Sequence, residues 1–294
     1  MNIVISTDST ADIPAKYREE YGIRVLPLSI ISGNQEWLDG VTITPEEFYP
    51  ILEAADKLPT SAAVPPVLYT QLFEEVWQAG CTDLIHVSLN SKGSSTYQNG
   101  CLARVQFYEA HPEAESTFRI HIIDSLTYSM GYGMAVIDAA KMAAAGAAPE
   151  EIIAGIHDWL DHVRPTFVPL DLKCVKRSGR ISAAAAFVGD AIGLKPIIRF
   201  EEGEARIIAK VRGEKNAFKE ILSIAASEIR PGSTFALVCS NNQEANARFV
   251  QAVEEALPGH TVIAYQVGCI ISITPGPTWW ASSTPSSKKI RTLI

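Results

Sequence analysis

The chain is 294 residues long, with 47% hydrophobic and 20% charged residues and a formal net charge of −8. That length suits two domains or one large one, and the composition excludes a disordered chain and supports a core without disulfide staples. The acidic balance excludes a generic nucleic-acid binder, and the five scattered cysteines, with no Cys-x-x-Cys among them, fit free thiols in a reducing cytoplasm.

From the N-terminus, short β-branched runs alternate with amphipathic helical patterns. Residues 3–6 are an expected strand. No basic or apolar leader precedes them, so the expected location is cytoplasmic. Residues 14–21 are expected to form a helix with Asp12 near its N-cap, and 24–31 to be extended. Asp39-Gly40 signals a turn. Residues 45–56 place Phe48, Ile51, Leu52 and Ala55 on one helical face, with Thr44 as cap. Pro65-Pro66 opens a helix carrying Leu68, Leu72, Phe73 and Val76. Then come a strand at 83–88, a helix at 96–110, a strand at 119–123, a helix at 129–145 stopped at Gly146, and a helix at 149–163. The Ala-rich stretch 130–148 is interrupted by Asp138 and Lys141, so it reads as a packed helix and not a membrane span. Strand–helix alternation with short connections predicts a mostly parallel sheet with helices on both faces.

The rhythm changes after Arg164-Pro165. Residues 166–170 are expected to be extended and to lead into a basic turn, Lys176-Arg177-Ser178-Gly179-Arg180-Ile181-Ser182. A small-residue helix is expected at 182–193 and a hairpin at 195–200 and 205–211 around Glu202-Gly203. A helix at 217–229, a strand at 234–239, a helix at 243–257 and a strand at 261–266 follow. The expected division is an α/β domain at 1–164 and a two-layer α+β domain at 165–294, with a loosely held tail from 279 to 294. Residues 173–219 hold eleven Lys or Arg against five Asp or Glu, a balance of +6, while the rest hold 14 against 28, a balance of −14. Such a basic segment in an acidic protein is a candidate partner or phosphate surface.

Three turns are rich in hydroxyls: Asp8-Ser9-Thr10, Leu58-Pro59-Thr60-Ser61, and the loop from Ser91 to Gln98. Ser94 and Ser95 fall at the N-terminus of the helix at 96–110, where unpaired N–H groups and partial positive charge favour anions. One hydroxyl suffices for a cap, and this loop offers Ser91, Ser94, Ser95 and Thr96. Capping competes as an explanation for Thr60, Ser61 and the Asp8 turn as well. Hydroxyls, backbone N–H groups and a guanidinium make a site that holds an acidic head group and a poor one for breaking bonds. There is no P-loop, no Gly-x-Gly-x-x-Gly after a strand and no Gly-x-Ser-x-Gly elbow. His157 and His162 are five residues apart, not at the spacing of a zinc-binding helix, and no metal or cofactor is expected.

Taken in order, these turns resemble the DegV family of fatty-acid-binding proteins. The resemblance rests on Asp8-Ser9-Thr10-Ala11-Asp12-Ile13-Pro14, Leu58-Pro59-Thr60-Ser61, the loop Ser94 to Gln98, Ile123-Asp124-Ser125 with Ser129-Met130-Gly131-Tyr132-Gly133, Gly179-Arg180-Ile181-Ser182, Leu194-Lys195-Pro196, and Lys210-Val211-Arg212-Gly213. It implies a two-domain bacterial carrier with a long-chain fatty acid between the domains. It also implies a non-catalytic subunit that presents the carboxylate to a partner fatty acid kinase. The head group would be held by Thr60, Ser61, Ser94 and Ser95, with Arg180 as charge partner. The basic 173–219 segment is the candidate kinase surface. The small-residue stretches 183–187 and 130–145 fit either room for the tail or tight helix packing. This chain departs from the family pattern at Thr274, which stands in a histidine's place, at Thr278 and Ser178 in place of glycines, and at Cys174 in place of a tyrosine. Those departures keep a carrier of another amphipathic acid in view. A phosphotransferase or hydrolase using Asp8 and Ser94 is a further alternative, although no histidine falls near these turns.

Overall fold

The computed structural model describes residues 2–169, 172–178, 193–239, 241–275 and 279–286. Four strands form a wholly parallel sheet: β1 (Ile3–Asp8), β2 (Arg24–Leu26), β6 (Asp83–Ser88) and β7 (Arg119–Asp124), in the order β2-β1-β6-β7. Every residue of β6 is buried, as a parallel strand covered on both faces must be. Helices α3 (Pro66–Gln78), α4 (Thr96–Ala110), α5 (Met130–Ala144) and α6 (Pro149–His162) flank this sheet, with α4 against β7 and α5 against β1. A small antiparallel sheet, β4 (Gln35–Leu38), β3 (Ser29–Ser32) and β5 (Thr60–Ala62), extends from it. The extended run at 24–31 therefore splits between two sheets.

Local chemistry explains several boundaries. Helix α2 (Pro45–Ala54) starts at a capping box in which Thr44 and Glu47 satisfy each other's backbone N–H groups. Helix α1 (Ala15–Tyr21) starts at Pro14, and Asp12 does not cap it. Asp12 is instead buried and accepts tertiary hydrogen bonds from Ser129 and Gly268, which a surface cap could not replace.

The second sheet has six strands in the order β10-β9-β8-β13-β11-β12. They are β8 (Thr166–Pro169), β9 (Leu194–Glu201), β10 (Glu204–Arg212), β11 (Thr234–Cys239), β12 (Thr261–Gln266) and β13 (Trp279–Ser283). Period-two alternation gives this sheet two distinct faces. Val168, Ile197, Phe235 and Leu237 share a core with Ile221 of α8 (Glu214–Glu228) and with Phe249 and Val253 of α9 (Gln243–Ala256). Phe167, Ile198, Ala236 and Val238 belong to the other, larger core, which includes β1, β6 and α5. One face thus carries its own helices and the other packs on the N-terminal half.

Two expectations are corrected here. The first part of the expected tail is not loosely held, because β13 sits in the middle of the six-stranded sheet, paired with β8 on one side and β11 on the other, while residues 287–294 lie outside the described residues. The basic turn does not begin at Lys176: residues 172–178 are helix α7 (Leu172–Ser178). Strand pairing and helix formation supply backbone partners that Ser/Thr/Pro-rich composition does not reveal. Residues 179–192, and with them all but the last residue of the expected helix at 182–193, lie outside the described residues.

His86 anchors α3 to the parallel sheet. Its Nδ1 lies 2.9 Å from Ser6 Oγ and its Nε2 3.2 Å from the Tyr69 hydroxyl. Burial pushes its pKa down from 6.5 to about 3, so it is neutral in the fold. The unfolded chain protonates this histidine near pH 6.5 and the folded chain does not. Stability from His86 is therefore intact above that pH and falls as pH drops towards about 3. Urea unfolding of wild type against His86→Gln is expected to show a wild-type slope steeper by on the order of 1 kcal/mol per pH unit below about pH 6. Parallel slopes would show that His86 is not held neutral.

Candidate functional site

A cavity of about 250 Å³ opens where the six-stranded sheet faces the N-terminal half. Its apolar walls come from both. Phe167, Phe200 and Val238 project from β8, β9 and β11, and Leu28 and Leu89 follow β2 and β6. Ile270, Ile271 and Ile273 come from the short helix α10 (Cys269–Ser272) and the residue after it. Phe167 and Phe200 stack with centroids 5.5 Å apart and planes 12° from parallel, and Tyr128 closes on Phe200 at 4.7 Å. No charged side chain lines the cavity among the described residues.

Four of the six residues singled out in the sequence line this cavity: Thr60, Ser61, Ser94 and Thr274. Thr60 and Ser61 are held on β5, opposite Ile31 and Ile30 of β3, so their turn is a short strand and not a helix cap. Ser95 does not reach the apolar cavity. It lines a second, polar cavity of about 570 Å³ together with Ser91, Lys92 and Gln98, and Ser61 and Ser94 border both. Arg180, the fifth of the basic motif's residues, lies outside the described residues, as do Thr278 and the stretch 183–187. Ser178 lines the apolar cavity, and its hydroxyl donates to Val175 O at 2.9 Å.

The expected capping competition resolves unequally. Ser95 occupies the N-cap of α4 and makes no side-chain cap bond. Ser94 Oγ accepts from Thr96 N at 3.2 Å and lies 2.9 Å from Thr96 Oγ1. The outer cavity therefore sits at a helix N-terminus, with Lys92 as its one charged lining side chain among the described residues. Lys92 Nζ is 3.3 Å from Glu204 Oε1 at the start of β10.

The third hydroxyl turn, Asp8-Ser9-Thr10, does not reach the cavity. Asp8 is fully buried and accepts from Thr10 N at 3.1 Å, the Tyr132 hydroxyl at 2.7 Å and Leu89 N at 2.8 Å. It thereby fixes Leu89 in the wall. Burial raises its pKa against the lowering effect of these bonds. Helix α5 likewise supplies no room for a ligand: residues 130–137 are buried in the core against β1. Its small residues serve close helix packing.

The aromatic wall escaped the sequence reading. Alternation marks Phe167 and Phe200 as strand residues, but not which of two buried faces is left unfilled. Tyr128 is set by tertiary contacts: its hydroxyl accepts from Asn90 Nδ2 at 2.9 Å, and Asn90 also donates to Gly203 O at 2.8 Å in the β9–β10 turn. The described lining holds no histidine, carboxylate or amine, and its hydroxyls can donate and accept hydrogen bonds.

Gly203 has φ +79°, and an added Cβ would stand 2.6 Å from Asn90 Oδ1. Gly203→Ala is expected to cost on the order of 2 kcal/mol in chemical denaturation. An unchanged midpoint would mean that the hairpin turn does not dock on Asn90.

The family profile described as "Uncharacterised protein, DegV family" matches residues 2–284. A DegV domain-containing protein of Caldanaerobacter subterraneus subsp. tengcongensis is 34% identical over 280 residues, covering 94% of this chain and 95% of that one. Among solved structures, a DegV family protein from Thermus thermophilus described for its fatty acid binding superposes with a TM-score of 0.86 at 27% identity, covering 97% of this chain and all of that one. DegV from Bacillus subtilis, described as a fatty acid binding protein, gives 0.84 at 25% identity over 98% of this chain. With the profile running through both sheets and a relative matched almost end to end, this chain belongs to the DegV family.

Proposed function

We propose that the chain is a two-domain carrier, divided near Arg164, that holds a long-chain fatty acid between its domains and presents the carboxylate to a partner fatty acid kinase. One observation carries this reading: an uncharged, hydrocarbon-lined cavity meets a hydroxyl-lined polar one at Ser61 and Ser94. An amphipathic acid has that same division. The fatty acid binding described for the Thermus and Bacillus proteins supports the assignment.

The energetics fit. Burying about fourteen methylenes at roughly 0.8 kcal/mol each gives an upper bound of about 11 kcal/mol. Binding entropy removes part of it, and a carboxylate left without hydrogen bonds would cancel much of the rest. Thr60, Ser61 and Ser94 supply donors at the mouth, Ser95 lies just outside, and Arg180 is the proposed charge partner. Small hydroxyls accept an ionised, protonated or phosphorylated head equally well. The described lining offers no general base, so the chemistry of activation is assigned to the partner and the chain itself is read as non-catalytic. The proposed partner surface is the exposed side of β10, where Arg206, Lys210 and Arg212 alternate along the strand. Thr274 on the cavity wall favours one second reading, a different amphipathic acid, because it supplies a hydroxyl where the family pattern has an imidazole.

Native mass spectrometry followed by lipid extraction tests the reading. A stoichiometric fatty acid released on unfolding is the expected result; no uptake of added palmitate or oleate would overturn it in favour of another acid. Thr60→Ala and Ser94→Ala are each expected to release the lipid about ten-fold faster. Ser94→Ala also loses a helix-start bond, a stability cost of about 1 kcal/mol or less. Charge reversal of Lys210 and Arg212 is expected to weaken capture by a fatty acid kinase several-fold and leave lipid content unchanged. Equal capture would move the partner surface elsewhere.

A further inference from the structure

Behind the apolar cavity lies a cluster of three buried carboxylates, Asp8, Asp12 and Asp39. None of them makes an ion pair among the described residues. Asp12 is the hub. One carboxyl oxygen accepts from Gly268 N at 2.9 Å, and the other makes a short hydrogen bond with Ser129 Oγ. These partners belong to two different parts of the cavity wall. Ser129 lines the cavity at the start of α5, with a positive φ of +52°. Gly268 is the N-cap of α10, which carries Ile270 and Ile271 into the cavity. The approach is close: a Cβ on Gly268 would stand 2.6 Å from the Asp12 carboxyl oxygen. Asp39 holds the next residue, Cys269, and also accepts from Ser9.

We propose that Asp12 is a positioning residue of the acyl cavity, which by binding Ser129 and Gly268 together ties the start of α5 to the start of α10 in its wall. The inference rests on the reading of that cavity as a fatty-acid site. A second consequence follows from the company Asp12 keeps. The titratable groups around it are Asp8 from β1, Asp39 from the loop after β4, Tyr49 from α2, Tyr132 from α5 and Cys269 from α10. None brings positive charge. Burial holds Asp12 well above the usual carboxylate range, and Asp39 and Asp8 push it in the same direction. A protonated Asp12 keeps both contacts, since one oxygen still accepts from Gly268 N and the other shares a proton with Ser129. Ionisation puts like charges into a site that has no counter-ion among the described residues. The folded form therefore holds its protons at pH values where free carboxyls have lost them, and its walls loosen as pH rises through the raised pKa.

The test is release of cis-parinaric acid into phosphatidylcholine vesicles, followed by fluorescence from about pH 6 to about pH 9. Wild type is expected to release faster as pH rises. Asp12→Asn, a neutral mimic of the protonated acid, is expected to hold the probe with a flat pH profile. Asp12→Ala is expected to release it about ten-fold faster at every pH. If that variant does not fold, Ser129→Ala cuts the same tie from the α5 end and is expected to act in the same direction. An Asp12→Asn profile that follows wild type, or alanine variants that release at the wild-type rate, would overturn the role of Asp12 and leave the acyl site standing. A wild-type chain that takes up no probe would overturn both.

Discussion

The alternation of side chains along β8, β9 and β11 is the constraint on which the rest depends. Val168, Ile197, Phe235 and Leu237 face α8 and α9; Phe167, Ile198, Ala236 and Val238 face the N-terminal half. A slip of one residue would exchange the two sets, placing the residues of a filled core against the cavity. Register is therefore held from both sides at once, and a sheet with two buried faces can bind an apolar ligand on one face without losing the packing of the other. The cavity is the part of the second face that the N-terminal half leaves uncovered by side chains.

Polar groups around this cavity are sorted by kind. Hydroxyls line it, at Thr60, Ser61, Ser94, Ser129 and Thr274, while the carboxylates Asp8, Asp12 and Asp39 stand behind the wall. The division has a physical reason. A carboxylate on the lining would repel an acidic head group, whereas one buried behind it can hold backbone N–H groups and hydroxyls in place, at the cost of a raised pKa. Asp8 fixes Leu89 and Asp12 fixes Gly268, so each carboxyl reaches the cavity only through the wall residues it holds.

Much of the element order was legible because it depends on local patterns. The strand at 83–88, the helix at 96–110 and the hairpin around Glu202-Gly203 follow from hydrophobic period, capping and turn chemistry, and all are present. The misreadings arose where tertiary bonding outweighed local preference. Asp12 looks like a helix cap, but its acceptors are taken by residues 117 and 256 positions away. Residues from 279 look like a loose tail, but their backbone fills the gap between β8 and β11. The small residues of α5 fit either space for a ligand or tight helix packing, and burial against β1 decides for packing.

By itself the sequence determined the kinds of element, their order, and the hydroxyl turns from which an acid-binding reading follows, because propensity, period and turn chemistry act over a few residues. Only the tertiary structure decided which of those hydroxyls share a cavity. Thr60 on an edge strand, Ser94 before a helix and Thr274 after another meet there, while Thr10 is held by Asp8 and Ser95 faces the outer polar cavity. Strand pairing and packing across the two sheets set those separations, and both depend on contacts between residues far apart in the chain.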